Sequence, residues 1–282
     1  MAQEVAAVWS LADTLGLGAV APALLKAAHH TSLLLHPLPM VARVQSVEPV
    51  AQALVTAERE LAISRHLTAR DMPVVPPLKA AVAGPHVIDG CVISLWPFIE
   101  HSKLRRQSDM VLAAHGLRSI HNALRDFSGT LPSYDAILDR CWTVLETLPV
   151  TAFPMEEDKN FLQERYLALR EQATAMDVPS AVLHGDAHKG NVLISNQGPV
   201  LWADFESACT GPLEFELVTL PRYARRCFGK HDQRLIDIFT DLKSVCVAVW
   251  CLADGGRSAE IRDAAGYHLG RLKHSASNRI GR

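Results

Sequence analysis

The stretch His184-Gly185-Asp186-Ala187-His188-Lys189-Gly190-Asn191 sets a carboxylate five positions before an amide, and a second carboxylate, Asp204, follows Asn191 by thirteen. All three fall in loops rich in Gly, Asp, His and Asn that separate short apolar runs, Ala181-Val182-Leu183, Val192-Leu193-Ile194 and Val200-Leu201-Trp202. A loop carboxylate can take a proton from a hydroxyl, and an amide oxygen with a second carboxylate can ligate a hard cation such as Mg2+. Moving a phosphoryl group to an alcohol asks for these capacities and for cations on the phosphates, since its catalysis is mostly positioning and charge stabilisation.

His184-Gly185-Asp186 with Asn191 resembles the catalytic loop of the aminoglycoside phosphotransferase (APH) family, relatives of the protein kinases, whose loop reads H-R-D. Asp204-Phe205-Glu206 resembles the metal-binding segment that follows that loop. The resemblance implies Asp186 as catalytic base, Asn191 and Asp204 as Mg2+ ligands, and ATP or GTP as phosphate donor. It extends to Met40-Val41-Ala42-Arg43-Val44, the strand that in kinases carries a phosphate-contacting lysine; Arg43 stands there, with Glu60 on the next helix placed to pair with it. Ile93-Ser94-Leu95-Trp96-Pro97-Phe98-Ile99 resembles the inter-lobe hinge that binds an adenine edge through its backbone, which implies nucleotide contacts at Trp96 and Phe98. Pro97 has no N–H, so donation to the base falls to Phe98 or Ile99.

Two departures from the family stand out. Ala28-His29-His30-Thr31-Ser32 occupies the hairpin where the family often carries glycines or small residues over the phosphates. The chain after residue 98 holds 22 Lys and Arg against 23 Asp and Glu, whereas a polycationic acceptor is better served by an acidic pocket. The resemblance runs from about Thr31 to Leu220 and is specific from His184 to Asp204.

Periodicity supplies the elements that must hold these groups. Val5 to Leu15 reads as a helix, Thr31–His36 and Met40–Gln45 as a hairpin around Pro37-Leu38-Pro39, and Val50 to Thr68 as an amphipathic helix with Leu54, Ala57, Leu61 and Leu67 on one side. Further strands are expected at Ala80 to Ala83 and Cys91 to Trp96. Helical patterns then dominate, at 109–127, 134–148, 156–176, 232–253 and 258–273. The change near residue 98 divides a small sheet-rich N-terminal lobe, 1–98, from a larger helical lobe, 99–282. With the resemblance, this implies an α+β, bilobal protein-kinase-like fold, with nucleotide bound by the first lobe and catalysis and acceptor binding in the second.

Composition bounds the partners. The chain has 282 residues, 49% hydrophobic and 21% charged, with a formal charge of −2, so neither nucleic acid nor an anionic membrane is an expected partner. The six cysteines form no CxxC pair or zinc-finger spacing and read as reduced thiols. Met1-Ala2-Gln3-Glu4 puts an acid where a signal peptide carries positive charge, and the apolar run Val245 to Ala253 is well short of the roughly 20 residues that span a bilayer, so a cytoplasmic protein is expected. Oligomeric state is open.

Blander readings accompany the chemical ones. His184 reads as a residue that bonds backbone near the loop; His188 as either a substrate or phosphate contact or a solvated histidine; Glu206 as metal support or loop support. Arg43 and Glu60 also fit a plain salt bridge, Glu156-Glu157-Asp158 an acidic first helical turn, the arginines at 222, 225 and 226 a solvated face, and Trp142 and Trp250 core. The leading expectation is a kinase moving the γ-phosphate of ATP or GTP to a hydroxyl of an aminoglycoside-like, sugar or amino-alcohol compound. The alternative is a catalytically silent nucleotide-binding regulatory module, which the missing glycines suggest. Nothing resembles a protein kinase's activation loop with its A-P-E motif.

Overall fold

The structure, a computed structural model, describes residues 1–27, 30–102, 104–196, 198–255 and 259–280. Ala28 and His29 of the first hairpin, and Ser258 at the expected start of the last helix, lie outside the described residues. In chain order the elements are α1 (Ala2–Thr14), β1 (Ala21–Ala27), β2 (Thr31–His36), β3 (Met40–Gln45), α2 (Val50–Thr68), α3 (Ala80–Ala83), β4 (His86–Ile88), β5 (Cys91–Pro97) and β6 (His101–Ser102). They continue with α4 (Gln107–Ala123), α5 (Asp135–Thr147), α6 (Glu157–Thr174), β7 (Ser180–Leu183), β8 (Val192–Ser195), β9 (Val200–Trp202) and β10 (Cys209–Pro212). The last are α7 (Leu213–Leu217), α8 (Arg222–Arg225), α9 (Gln233–Ala253) and α10 (Ala259–Ile280).

The chain forms two compact units, neither of them contiguous in sequence. The first gathers residues 1–131, 186–208 and 222–227. Its main sheet is antiparallel in the order β1-β2-β3-β5-β4. Alternation along the strands sorts its two faces. Leu33 lies opposite Ala42, Ala42 opposite Leu95 and Val44 opposite Ile93, and these side chains share one core with Ala7, Val8 and Leu11 of α1. Arg43, one step out of phase with Ala42 and Val44, therefore points to the other face. Two clusters on α2 pack with residues of β5: Ala53 and Ala57 with Val92, and Leu61 with Trp96.

A three-stranded sheet in the order β6-β8-β9 belongs to the same unit. The segment before α3 holds β9, since Val75 N–H donates to Trp202 O at 2.9 Å and Trp202 N–H to Pro73 O at 2.8 Å. The Trp202 indole is fully buried and donates to Ala113 O of α4 at 2.8 Å. Its truncation to alanine would cost on the order of 3–5 kcal/mol.

The second unit comprises residues 132–185, 209–221 and 228–282. Helices α5, α6, α9 and α10 supply one large core, including Leu145, Tyr166, Phe239, Val245 and Leu272, to which Leu183 of β7 and Cys209 of the paired β10 contribute. A buried polar network crosses it: Asp241 of α9 receives Arg165 at 2.6 Å, Arg271 at 2.9 Å and Ser275 at 2.9 Å.

Two expectations are corrected. Ala80 to Ala83 is a single helical turn rather than a strand, in keeping with the helix preference of alanine, and Gly84 at φ 85° follows it. The strand flanking β5 is instead β4, joined to it through Asp89-Gly90 with both φ positive, the tight-hairpin signal. Trp250 is 39% exposed and so is not core, while Trp142 packs against the α-helical core and stacks on Tyr166. Among the described residues no helix is long and apolar enough to cross a membrane.

Candidate active site

The site is built on the face of the first unit's sheet to which Arg43 points. Along α2, the buried stripe Ala53, Ala57, Leu61 and Leu67 also contains Glu60, a carboxylate where the helical period calls for an apolar side chain. Glu60 Oε1 lies 2.5 Å from Arg43 Nη1 and also accepts the Phe205 N–H at 3.1 Å. Arg43 Nη2 donates to Asp204 Oδ1 at 2.8 Å and to Glu206 Oε2 at 3.3 Å. His30 Nδ1 stands 3.3 Å from the same Nη2. The sequence thus brings Arg43, Glu60 and Asp204 together from three distant segments, and adds His30 and Glu206.

Asp204 itself has φ 70°, in the left-handed region that costs a non-glycine residue of order 1 kcal/mol and persists only where neighbours hold it. Three holds are present: Arg43 on its carboxylate, Glu60 on the next N–H, and Arg59 Nη2 on Glu206 O at 2.8 Å. Arg59 was missed in the sequence, where an arginine beside a glutamate on a helix has no distinguishing signal.

Asp186 and Asn191 belong to the same unit as Arg43 and Asp204. Asn191 Nδ2 donates to Asp186 O at 2.9 Å and to its Oδ2 at 3.3 Å, so the amide oxygen Oδ1 is the atom left to ligate a cation. Ala203 N–H donates to Asn191 O at 3.0 Å, fixing Asn191 one residue from Asp204 through the pairing of β8 and β9. His188 accepts the Gly190 N–H on Nδ1 at 2.9 Å, and its Nε2 lies 3.3 Å from Asp186 Oδ2.

Electrostatics at the site are unbalanced. Glu60, Asp204 and Glu206 share one guanidinium. Burial pushes the Glu60 carboxyl up, to about 7, and Asp204 and Glu206 add to the rise against the pull of Arg43. Burial by itself would lower Arg43, but the three carboxylates hold its charge more firmly than usual. This excess of negative charge is what a divalent cation would balance. Among the described residues no group of three or more His, Cys, Asp or Glu has metal-holding geometry. The amide of Asn191 with the carboxylate of Asp204 suits Mg2+ nonetheless, because that ion commonly keeps one or two protein ligands and fills its shell with phosphate oxygens and water.

In the stretch from Ile93 to Ile99, the Trp96 indole donates to Ser94 Oγ at 2.9 Å and lies buried, while Phe98 N–H donates to Pro39 O at 2.8 Å. Among the described residues Ile99 N–H has no backbone partner.

In the second unit, the fully buried Glu216 of α7 accepts the His184 N–H at 2.5 Å and the Gly185 N–H at 3.1 Å. One carboxylate therefore anchors the two residues that precede Asp186, and Gly185, at φ 82°, supplies the turn that only glycine adopts freely. Sequence reasoning missed Glu216, although Glu214-Phe215-Glu216-Leu217 offered one signal, a charge inside an apolar turn.

Solved structures that resemble the whole chain include the following three. One is a choline/ethanolamine kinase family protein from Mesorhizobium loti, 16% identical over 97% of this chain and 94% of that one, with a TM-score of 0.66. Another is the GDP complex of aminoglycoside 2'-phosphotransferase-IIIa, 15% identical over 98% and 99%, TM-score 0.67. The third is choline kinase LicA from Streptococcus pneumoniae, 14% identical over 97% and 99%, TM-score 0.70. At such identities the likeness shows the fold, the α+β fold of these kinases, and no curated protein sequence matches the chain. The sequence signature of the phosphotransferase enzyme family (APH) matches residues 39–234, from the turn before Arg43 into α9, and that span makes the chain a member of the family.

Proposed function

We propose that the protein is a kinase moving the γ-phosphate of ATP or GTP to a hydroxyl of a small molecule, either an aminoglycoside-like compound, a sugar or an amino alcohol. The observation that carries the proposal is the Asp186, Asn191, Asp204 arrangement: the amide of Asn191 bonds Asp186, and its backbone carbonyl receives the N–H beside Asp204. Asp186 takes the proton of the attacking hydroxyl as its oxygen bonds to the γ-phosphorus and the bond to the nucleoside diphosphate breaks. Asn191 Oδ1 and Asp204 would hold Mg2+, which when bound neutralises charge on the phosphates. Arg43, braced by Glu60, reaches phosphate oxygens. The hinge around Trp96 and Phe98 meets the adenine or guanine edge, with Ile99 N–H the donor that costs no existing bond.

In this reading residues 1–98 bind nucleotide, residues 99–282 bring the base and the acceptor, and the enzyme works in the cytoplasm with its six free cysteines reduced. A GDP complex of an aminoglycoside phosphotransferase, and an amicoumacin kinase bound to AMP-PNP and Ca2+, support a nucleotide with a divalent ion as donor. The test is a panel of aminoglycosides, macrolides, choline-like amines and sugars assayed for acceptor-dependent nucleotide consumption. Asp186→Ala and Asp204→Ala should abolish transfer while the fold stays intact, and full activity in either defeats the mechanism.

One observation favours a second reading, a nucleotide-binding module that transfers nothing. His30 stands buried beside Arg43 and Glu206, in the hairpin where glycines would let backbone approach phosphates. Mg2+-dependent nucleotide binding without turnover across the same panel would select it.

A further inference from the structure

The side chain of His188 is not needed for metal or nucleotide in the scheme above, yet the structure gives it a built setting. It caps the short turn Lys189–Asn191, accepting the Gly190 N–H on Nδ1 at 2.9 Å. Its ring folds over Gly190 so closely that a Cβ there would sit 2.6 Å from Cε1 and 2.8 Å from Nδ1. Only a residue without a side chain fits beneath the imidazole.

The capping bond settles where the ring proton resides. With Nδ1 accepting, a neutral imidazole carries its hydrogen on Nε2. That nitrogen faces Asp186 Oδ2 at 3.3 Å, the same oxygen that Asn191 Nδ2 reaches at 3.3 Å. Two donors from one loop, on either side of Gly190, converge on one oxygen of the base, and all of them lie in the first unit. The Asp186 and His188 side chains are each about half exposed (47% and 45%), so packing alone does not set the carboxylate rotamer.

We propose that His188 is a positioning residue that fixes the carboxylate of Asp186, by donating from Nε2 to Oδ2, so that the base meets the acceptor hydroxyl in a single orientation. The proposal rests on Asp186 being that base. It adds no chemical step: the proton still passes from the hydroxyl to Asp186, and His188 keeps its own. Orientation of this kind governs rate more than binding, because a small misplacement of a reacting group can cost up to about 100-fold.

The experiment compares the full-length wild type with His188→Ala, His188→Gln, Gly190→Ala, the His188→Ala/Gly190→Ala double variant and Asp186→Ala. Release of nucleoside diphosphate from Mg2+-ATP, with water or a panel acceptor, gives kcat and the nucleotide KM. His188→Ala should lower kcat by about 10- to 100-fold with KM unchanged, and His188→Gln, which keeps an N–H donor, should recover part of the loss. Gly190→Ala, by evicting the ring, should lose as much as His188→Ala, and the double variant should lose no more. If Asp186→Ala is inactive while His188→Ala keeps full kcat, the positioning role is overturned and the base assignment stands. If Asp186→Ala is fully active, the base assignment itself fails. Should the wild type turn nothing over, imidazole nitrogen NMR decides the geometry: a ring protonated on Nε2 agrees with it, and one protonated on Nδ1 overturns it.

Discussion

Glu60 accepts the N–H of Phe205 at 3.1 Å, so a side chain of α2 holds the peptide immediately after Asp204 while it pairs with Arg43. Helix, central strand and the turn that carries Asp204 are tied at one carboxylate. Removing it leaves the Arg43 guanidinium short of a partner and the Phe205 N–H without its acceptor. Glu60→Ala should therefore destabilise the protein by roughly 3–5 kcal/mol, read by denaturant unfolding. Arg43→Met should also destabilise, and the double variant by less than the sum of the two.

Asp204→Asn should separate stability from function. Asparagine tolerates φ 70° and still accepts from Arg43, but it removes one of the three carboxylates crowded on that guanidinium. Thermal unfolding should show unchanged or higher stability, by about 0.5–2 kcal/mol, while Mg2+-dependent turnover disappears. A clear loss of stability would mean that the charge crowding is already relieved in the folded state.

Glu216→Gln keeps an acceptor for only one of the two N–H groups that Glu216 now receives. The expected cost is about 1–3 kcal/mol in stability, since a buried N–H is left unsatisfied. Turnover should fall with nucleotide affinity unchanged, because the residues released lead into Asp186 rather than into the stretch around Trp96 and Phe98 proposed to meet the nucleotide. Isothermal titration with nucleotide alongside kcat measurement distinguishes the two effects.

His188 should titrate above the ordinary histidine value of 6.5. The hydrogen bond to Asp186 raises it, burial opposes the rise, and the charge of Asp186 adds to it. A raised folded-state value means a stabilising contribution that is complete below about pH 6.5 and fades as pH climbs through the folded value. Proton NMR should show the titration move down in Asp186→Asn, and the added stability near pH 6 should vanish with it.

The residues of the proposed site could be picked out in the sequence because their types and spacing suit the proposed chemistry. Asp186, Asn191 and Asp204 stand in loops between apolar runs, and alternation along Met40–Gln45 puts Arg43 out of phase with the core residues Ala42 and Val44. Glu60 was legible through the resemblance, as the residue on the next helix placed to pair with Arg43. What escaped reading depends on pairings between distant segments. Arg59 gains its role from a carbonyl 147 residues away, and Glu216 from two amides about 30 residues upstream. β1 escaped because Ala21-Pro22-Ala23 opens an edge strand in residues with little strand preference, paired on one side alone. Ala80–Ala83 misled because a four-residue apolar run has no period, whereas Asp89-Gly90, a hairpin turn in two residues, was the better guide.

The interleaving of the two units has a consequence for synthesis. The polypeptide leaves the first unit after residue 131 and re-enters it at 186 and again at 222. Leu193, Leu201 and Ala203 arrive with the second visit to complete the cluster around Leu61 and Trp96. As the nascent chain emerges from the ribosome, its N-terminal sheet must wait, with that apolar face open, until more than 200 residues are translated. No single cut of the gene would release either half as an autonomous folding piece.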